Sequence, residues 1–264
     1  MSQKELIRFE NVSKIFDTNY ALKEINLTIN QGEFVVFLGE SGSGKTTLLR
    51  LINRLIEPDA GTIKIKGQNL QNINPMPLRR KMGYVIQQTG LFPHLTIRDN
   101  ITYVLSLEKK SEQEKNHIAE ELISLIGLNS SYLDRYPNEL SGGEAQRVGV
   151  ARGFANDPEI ILMDEPFGAV DDINRRKLQK ELKTLNQTLK KTIVFVTHDI
   201  QEAFYLGDQI CILREGRLIQ KGNVTQLINQ PANKYVSDFI GINGYISQLE
   251  PEQIKAAYKI AQNQ

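Results

Sequence analysis

Residues 39–46 read GESGSGKT and match, at every fixed position, the pattern GxxxxGK followed by serine or threonine. The flanks fit this pattern, because residues 34–38 (FVVFL) predict a buried strand and residues 47–52 (TLLRLI) predict a helix. Glycines let backbone N–H groups surround a phosphate at the positive end of the helix dipole. A chance match is expected in about one such chain in a hundred. This stretch therefore predicts a nucleotide-binding loop in a strand–loop–helix unit.

Two side chains of this loop have specific predicted roles. Lys45 is expected to contact the β- and γ-phosphates, and the Thr46 hydroxyl is expected to bind Mg²⁺. The residues of this stretch that are predicted to contact the nucleotide are Gly39, Glu40, Ser41, Gly42, Ser43, Gly44, Lys45, Thr46 and Thr47.

The composition is that of an ordinary globular protein. The 264 residues are 40% hydrophobic and 24% charged, with a formal net charge of +1, which gives no support for nucleic acid as the main partner. The one cysteine, Cys211, excludes an intramolecular disulfide and a zinc cluster, and its apolar neighbours predict a buried strand residue. The N-terminus lacks the apolar core of a signal peptide, and no apolar run approaches the ~18–20 residues of a membrane span. We therefore expect a soluble, cytoplasmic chain that associates with a membrane only through a partner.

The remaining periodicity indicates three regions. Residues 6–12 and 25–29 alternate apolar and polar side chains, which predicts half-exposed antiparallel strands. Residues 14–20, between them, include exposed aromatic side chains that either stack on an adenine ring or pack on their own hairpin. From about residue 90 to residue 155 helical spacing replaces strand patterns, so we predict a helical lobe inserted into the α/β core.

A second anion-binding arrangement is indicated at the end of this lobe. Residues 141–143 (SGG) open a predicted helix, and the N-terminus of a helix favours anions. Taken alone, a serine N-cap followed by a flexible turn explains the same three residues.

Two carboxylates follow the apolar residues 160–163, which predict a central parallel strand. Asp164 is placed to hold Mg²⁺, and Glu165 is placed to accept a proton from a water that attacks the γ-phosphate. The alternative is a solvent-exposed strand end. We favour the functional interpretation because a phosphate loop needs an acidic metal partner there.

Polar side chains also end two other predicted strands. Residues 82–88 end in the amides Gln87 and Gln88, and Gln87 either meets ligand or metal or is an ordinary loop residue. The apolar residues 192–197 precede His198, which is placed to hydrogen-bond a γ-phosphate and position the attacking water, unless its role is structural.

Taken together, residues 5–241 resemble the ATP-binding subunit of ABC transporters. The specific mark is residues 140–144 (LSGGE), which look like the family's signature loop and stand between the phosphate loop and the acidic strand. The resemblance implies an α/β fold: a P-loop NTPase (RecA-like) core with an N-terminal antiparallel β subdomain and an inserted α-helical lobe. It implies one ATP-binding domain over residues 1–241, with the lobe at about 90–155, and a short tail at 242–264.

The resemblance also assigns roles to single residues. Phe16 becomes the adenine-stacking aromatic, and Asp171 the aspartate that crosses the interface of a head-to-tail dimer. The implied catalytic residues are Glu165 and His198, and the implied metal ligands are Thr46, Gln87 and Asp164. In such a dimer, the signature loop of one copy completes the ATP site of the other, through Ser141, Gly142, Gly143 and Glu144.

Finer similarity lies in residues 87–94, 144–149 and 167–171, which resemble the branch that imports glycine betaine, carnitine or choline. The implied function is that of an ATPase subunit that energises an importer of osmoprotectant quaternary amines. ATP and Mg²⁺ are its implied cofactors, and its implied partners are a second copy, permease subunits and, indirectly, a substrate-binding protein, with no nucleic acid. The resemblance implies a peripheral protein at the cytoplasmic face of the cell membrane. Many members append a tandem regulatory module, which we do not expect here because residues 244–264 are too few.

This chain departs from common members of the family at three positions. Glu144 stands where many relatives have glutamine, and Gly168 and Val170 replace a common serine and leucine. None of these changes removes a charge or donor that catalysis needs.

Three alternatives remain open. The first is an importer for another solute class, such as amino acids or polyamines. The second is a soluble ABC ATPase acting on DNA or ribosomes, which would usually carry long coiled-coil insertions or two cassettes. The third is a P-loop GTPase or kinase, but a GTPase needs an Asn-Lys-x-Asp motif, and residues 233–236 (NKYV) lack the aspartate.

Overall fold

The computed structural model describes residues 4–87, 89–168, 170 and 172–246, which form both strands and helices. The strands are β1 (Glu5–Phe16), β2 (Asn19–Asn30), β3 (Phe34–Leu38), β4 (Ala60–Ile65), β5 (Gln68–Asn69), β6 (Met82–Val85), β7 (Ile160–Asp164), β8 (Thr192–Thr197), β9 (Gln209–Arg214) and β10 (Arg217–Gly222). The α-helices are α1 (Lys45–Ile52), α2 (Pro75–Arg80), α3 (Ile97–Leu107), α4 (Glu112–Leu125), α5 (Gly142–Phe154), α6 (Asp172–Leu189), α7 (Ile200–Leu206), α8 (Val224–Asn229) and α9 (Lys234–Ile246).

A largely parallel sheet forms the centre of the fold, with strand order β10-β9-β3-β8-β7-β6. Strands β9, β3, β8, β7 and β6 are parallel, and β10 adds an antiparallel edge. Every residue of β3 and β8 is buried, as continuous apolar strands require when both faces of a sheet are covered. Alternate residues of β3 belong to two separate cores, one lined by the helical segments and one by α1 and the β subdomain. Burial of each large apolar side chain contributes about 1.5–3 kcal/mol, so both cores fix this sheet firmly.

The strand register brings the predicted site segments to one edge of the sheet. Leu38 at the end of β3 pairs with Thr197 at the end of β8, and Asp164 at the end of β7 pairs with Val196. The phosphate loop, the two carboxylates and His198 therefore leave neighbouring strands at the same level. Ligands bind at this edge in open α/β sheets.

The N-terminal strands form a second, antiparallel sheet with the order β2-β1-β4-β5. Strands β1 and β2 are each 12 residues long, so they extend well beyond the predicted residues 6–12 and 25–29. Register shifts after Phe9 and Val12 interrupt the regular alternation, which explains why the pattern gave shorter strands. Because Phe16 pairs with Asn19, the segment predicted as a loop is mostly strand, with its aromatics at the hairpin tip.

Helices α3, α4 and α5 pack against one another in the segment where helical spacing predominates. Thr96 caps the N-terminus of α3, and its side chain accepts a hydrogen bond from the backbone N–H of Asp99. Ser111 caps the N-terminus of α4 and forms a capping box with Glu114. Both helices cover segments that the sequence predicts to be helical.

Three further predictions concern single segments. Cys211 is fully buried in β9, as predicted. Strand β6 ends at Val85 rather than at residue 88, and Gln88 lies outside the described residues. Among the residues described, no helix is both long enough and apolar enough to cross a membrane.

Candidate active site

The phosphate loop connects β3 to α1 and packs closely against the backbone of neighbouring strands. A Cβ atom at Gly39 would lie 2.3 Å from the carbonyl oxygen of Leu213 in β9, and one at Gly44 would lie 2.6 Å from that of Ala21 in β2. Gly44 also has a φ of 102°, in the left-handed region that favours glycine. Both glycines are therefore required by close packing, in addition to any approach of a phosphate.

Lys45 is folded back into this loop. Its Nζ donates hydrogen bonds of 2.8 Å to the carbonyl oxygens of both Gly39 and Glu40, and the residue is 5% exposed. Burial lowers the pKa of Lys45, while the negative charges of Glu165 and Asp164 oppose that shift. The loop thus holds a cation against neutral carbonyl oxygens, an arrangement that favours an anionic ligand.

Thr46 and Asp164 join α1 to the end of β7. The Thr46 hydroxyl donates a hydrogen bond of 2.9 Å to Asp164 Oδ1. Burial raises the pKa of Asp164, and the Thr46 hydrogen bond and the positive charges of Arg50 and Lys45 counteract this shift. A hydroxyl and a carboxylate in contact are hard oxygen donors of the kind that Mg²⁺ prefers, so this pair fits the ion.

Glu165 brings two other predicted residues together. Its Oε2 lies 3.3 Å from His198 Nδ1 and accepts a long hydrogen bond of 3.4 Å from Gln87 Nε2. Gln87 thus meets the carboxylate of Glu165, next to the predicted metal pair. Glu165 has a φ of 44°, a strained conformation for a residue with a side chain, and its backbone is held by Val196 and Gly168. The carboxylate is therefore fixed at the sheet edge, where it can accept a proton from water.

The signature loop is built as a capped helix N-terminus. Glu144 Oε2 accepts hydrogen bonds from the Ser141 backbone N–H at 2.8 Å and from its hydroxyl at 2.7 Å, and Tyr132 donates to Glu144 Oε1 at 2.8 Å. The hydrogen bonds from Ser141 and Tyr132 lower the pKa of Glu144, so it stays ionised. Cβ atoms added at Gly142 and Gly143 would meet no described atom within 4 Å. Both glycines of this loop therefore border open space in one copy of the chain.

Two aromatic side chains lie at the hairpin tip. Phe16 is 47% exposed, with Lys14 Nζ 5.4 Å from its ring centroid, and Tyr20 is 52% exposed, with Lys23 at 5.2 Å from its ring. Both rings are available for stacking, so the choice of Phe16 stays a prediction. Asp171 lies outside the described residues.

Sequence reasoning missed a buried carboxylate beside this site. Glu202 in α7 is 5% exposed and accepts a hydrogen bond of 2.6 Å from Thr197, the residue before His198. The sequence offers another explanation for Glu202, because Asp199 and Glu202 have the spacing of a capping box. Asp199 does cap α7, but the side chain of Glu202 turns to Thr197 instead.

Comparison with known proteins supports the resemblance to ABC transporters that the sequence indicates. The sequence profile of the family described as ABC transporter matches residues 22–168. The chain is 50% identical over 248 residues to the choline transport ATP-binding protein OpuBA of Bacillus subtilis, covering 94% of this chain and 65% of that protein. It is 52% identical over 237 residues to the glycine betaine/carnitine/choline transport ATP-binding protein OpuCA of the same species, covering 89% and 62%. The chain thus spans somewhat less than two thirds of these two relatives. It is 45% identical to the glycine betaine uptake system ATP-binding protein YehX of Escherichia coli, covering 89% and 77%.

A solved structure described as the dimeric structure of MJ0796, a bacterial ABC transporter cassette, matches with a TM-score of 0.75 at 38% identity. The match covers 83% of this chain and 98% of that one. The predicted α/β fold, with its P-loop core and antiparallel subdomain, is therefore confirmed. The chain belongs to the ABC transporter family.

Proposed function

We propose that this chain is the ATP-hydrolysing subunit of an ABC importer for osmoprotectant quaternary amines such as glycine betaine, carnitine or choline. The observation that carries hydrolysis is the convergence of Lys45, the Thr46–Asp164 pair and Glu165 at one sheet edge. The solute class is supported by relatives named for these solutes, at 44–52% identity.

ATP binds with its phosphates in the loop of residues 39–47. Lys45 exchanges its carbonyl partners for the β- and γ-phosphates, and the ring of Phe16 stacks on the adenine. Thr46, Asp164 and Gln87 would hold Mg²⁺. When bound there, the ion would supply positive charge that offsets the negative charge on the phosphates.

Hydrolysis uses the side chains at the ends of β7 and β8. Glu165 accepts a proton from water as that water attacks the γ-phosphorus, and the bond from the γ-phosphorus to the bridging oxygen breaks, giving ADP and phosphate. His198 lies against Glu165 and donates a hydrogen bond to the γ-phosphate. Lys45 stabilises charge that develops on the phosphate oxygens.

Two copies form the working unit, arranged head to tail. Residues 141–144 of one copy complete the ATP site of the other, and Asp171 lies at the interface. The open space beyond Gly142 and Gly143 supports this arrangement, since a second chain can approach there. Two solved structures that match this chain, both of the MJ0796 cassette, are described as dimeric.

The dimer sits peripherally at the cytoplasmic face of the cell membrane, on integral-membrane permease subunits that receive solute from a binding protein. Its closure on ATP drives the permease pair between inward- and outward-facing states. Residues 1–241 form the ATP-binding domain, with the helical lobe at about 90–155.

The test is solute-stimulated ATP hydrolysis. The chain is purified with its co-encoded membrane and binding proteins, and hydrolysis is measured with glycine betaine, carnitine, choline, spermidine and an amino acid. Stimulation by the quaternary amines alone is expected. Stimulation by spermidine instead would establish the second candidate, which is favoured by 42% identity to the spermidine/putrescine import ATP-binding protein PotA of Lawsonia intracellularis.

A further inference from the structure

Glu202 is a buried carboxylate that three elements share. It lies in α7 and is 5% exposed. The Thr197 hydroxyl at the end of β8 donates to its Oε2 at 2.6 Å, and Gln179 Nε2 in α6 donates to its Oε1 at 3.3 Å. Arg175 Nε, also in α6, lies 4.0 Å from the same Oε1. The carboxylate thus joins β8, α6 and α7 behind the sheet edge.

This cluster borders the predicted catalytic residues. Glu202 and the predicted catalytic residues line the same cavity, which has a volume of about 60 Å³. Its lining includes Glu165, Gly168, Arg175, Thr197, His198 and Glu202. Glu202 therefore faces the same cavity as Glu165, the carboxylate that is proposed to accept the proton.

Two of its partners reach the segments that carry the chemistry. The Thr197 hydroxyl accepts a hydrogen bond of 3.0 Å from the backbone N–H of Asp199, so it spans both sides of His198. Arg175 Nη2 donates a hydrogen bond of 2.9 Å to the carbonyl oxygen of Val170, in the segment that follows Glu165. Glu202 thus connects to the segments around His198 and Val170 through one side chain each.

A carboxylate in this place is energetically demanding. Burial raises the pKa of Glu202, and the negative charge of Asp199 adds to the shift, while the hydrogen bonds of Thr197 and Gln179 and the charge of Arg175 lower it. Replacing buried ionic groups with apolar residues of similar volume is often neutral or stabilising. Stability alone is therefore a weak reason for a carboxylate here, and its geometry favours a functional one.

We propose that Glu202 is a positioning residue for ATP hydrolysis, which holds the His198 segment through Thr197 and the Val170 segment through Arg175 in fixed relation to Glu165. This inference rests on the proposed function. The described hydrogen bonds of Glu202 do not involve the phosphate loop, so its loss should lower turnover and leave nucleotide affinity nearly unchanged.

The test compares Glu202→Gln with Glu33→Gln in the transporter complex. Glu33 is an equally buried carboxylate, 6% exposed, that accepts hydrogen bonds from Asn30 before β3, at the opposite edge of the sheet. We expect kcat of Glu202→Gln to fall by about 10- to 100-fold, as small misplacements of catalytic groups produce, with KM for ATP within about twofold. Glu33→Gln should keep kcat, and the two variants should have similar thermal stability.

A second pair of variants isolates one hydrogen bond. Thr197→Val removes the hydroxyl without a large change of volume and should also lower kcat. Thr197→Ser keeps the hydroxyl and should restore most of the turnover. A purely structural role for this hydroxyl would instead show itself in unfolding temperature, with turnover following the folded fraction.

The outcomes separate this inference from the function on which it rests. If wild-type complex hydrolyses ATP and Glu202→Gln matches it, the positioning role is wrong and the proposed function stands. An equal loss of kcat in Glu33→Gln would overturn it as well, because the effect would then come from burial. If the wild-type complex shows no hydrolysis, the proposed function itself fails.

Discussion

His198 Nδ1 and Glu165 Oε2 lie 3.3 Å apart, although His198 follows β8 and Glu165 follows β7. The side chain of His198 is 65% exposed and that of Glu165 is 23% exposed, so the pair runs from solvent to the sheet edge. Since Gln87 contacts the same carboxylate oxygen, the ends of three adjacent strands converge on one group. We expect the Glu165 carboxylate to accept the proton of the attacking water.

The first prediction concerns this carboxylate. Glu165→Gln keeps the shape of the side chain but removes its basicity, so ATP should bind normally while kcat falls by about 10²–10⁴-fold. Hydrolysis is measured by phosphate release and affinity by nucleotide titration. Glu57→Gln, an exposed carboxylate paired with Arg54, serves as control and should keep full activity. Full residual hydrolysis in Glu165→Gln would show that another group acts as base.

The second prediction compares two glycines, one in crowded and one in open surroundings, to separate the effect of steric crowding from that of backbone strain. Gly44→Ala introduces a Cβ 2.6 Å from Ala21 at a φ of 102°, whereas Gly67→Ala has a φ of 77° and no described atom within 4 Å. Gly67→Ala should lower the free energy of unfolding by about 1–2 kcal/mol, the cost of the left-handed conformation. Gly44→Ala should lower it further and weaken ATP binding. Equal destabilisation of both variants, with normal binding, would contradict the packing of the loop.

The sequence predicts this site better than it predicts its surroundings. The phosphate loop and the acidic strand end are recognisable because their chemistry fixes residue types at fixed spacing. The lengths of β1 and β2 were not predictable, since register shifts break the alternation on which the interpretation depends. The choice between Phe16 and Tyr20 stays open for a related reason, because exposed residues at a hairpin tip leave no periodic signal. Glu202 was missed for two reasons. Its partner Gln179 is distant in sequence, and its spacing from Asp199 is already explained by a capping box.

The third prediction uses the single cysteine. Cys211 is fully buried, and burial raises the pKa of its thiol to about 12, so little reactive thiolate forms at pH 8. A thiol reagent such as DTNB should therefore not react with the native protein within minutes. In guanidinium chloride it should label one thiol per chain. Rapid stoichiometric labelling of the native protein would contradict the position of β9 inside the core.

The fourth prediction decides which aromatic side chain meets the adenine. The chain has no tryptophan, so Phe16→Trp and Tyr20→Trp each create a single fluorescent reporter. Emission of the Phe16→Trp variant should change and saturate as MgATP is added, because stacking on a base perturbs the indole. Tyr20→Trp should respond weakly. The reverse pattern would move the stacking role to Tyr20.

The fifth prediction is a pH dependence at the start of α4. Glu114 accepts hydrogen bonds from Lys110 Nζ and from the backbone and hydroxyl of Ser111, and these lower its pKa from 4.5 to about 2, with the Lys110 bond the largest cause. A carboxylate whose pKa is lower in the folded state stabilises that state above the unfolded pKa. This contribution is lost as the pH falls from about 4.5 towards about 2.

Glu114→Gln should therefore melt at a lower temperature than wild type at pH 6, and the gap should shrink as the pH falls through that window. Unfolding is followed by circular dichroism at several pH values. Glu120→Gln, on the same helix but outside the cap, controls for the loss of one negative charge. A gap of constant size down to pH 3 would mean that the ionised form of Glu114 does not stabilise this cap. The absence of any gap at pH 6 would lead to the same conclusion, since glutamine retains an oxygen that can accept hydrogen bonds from Ser111.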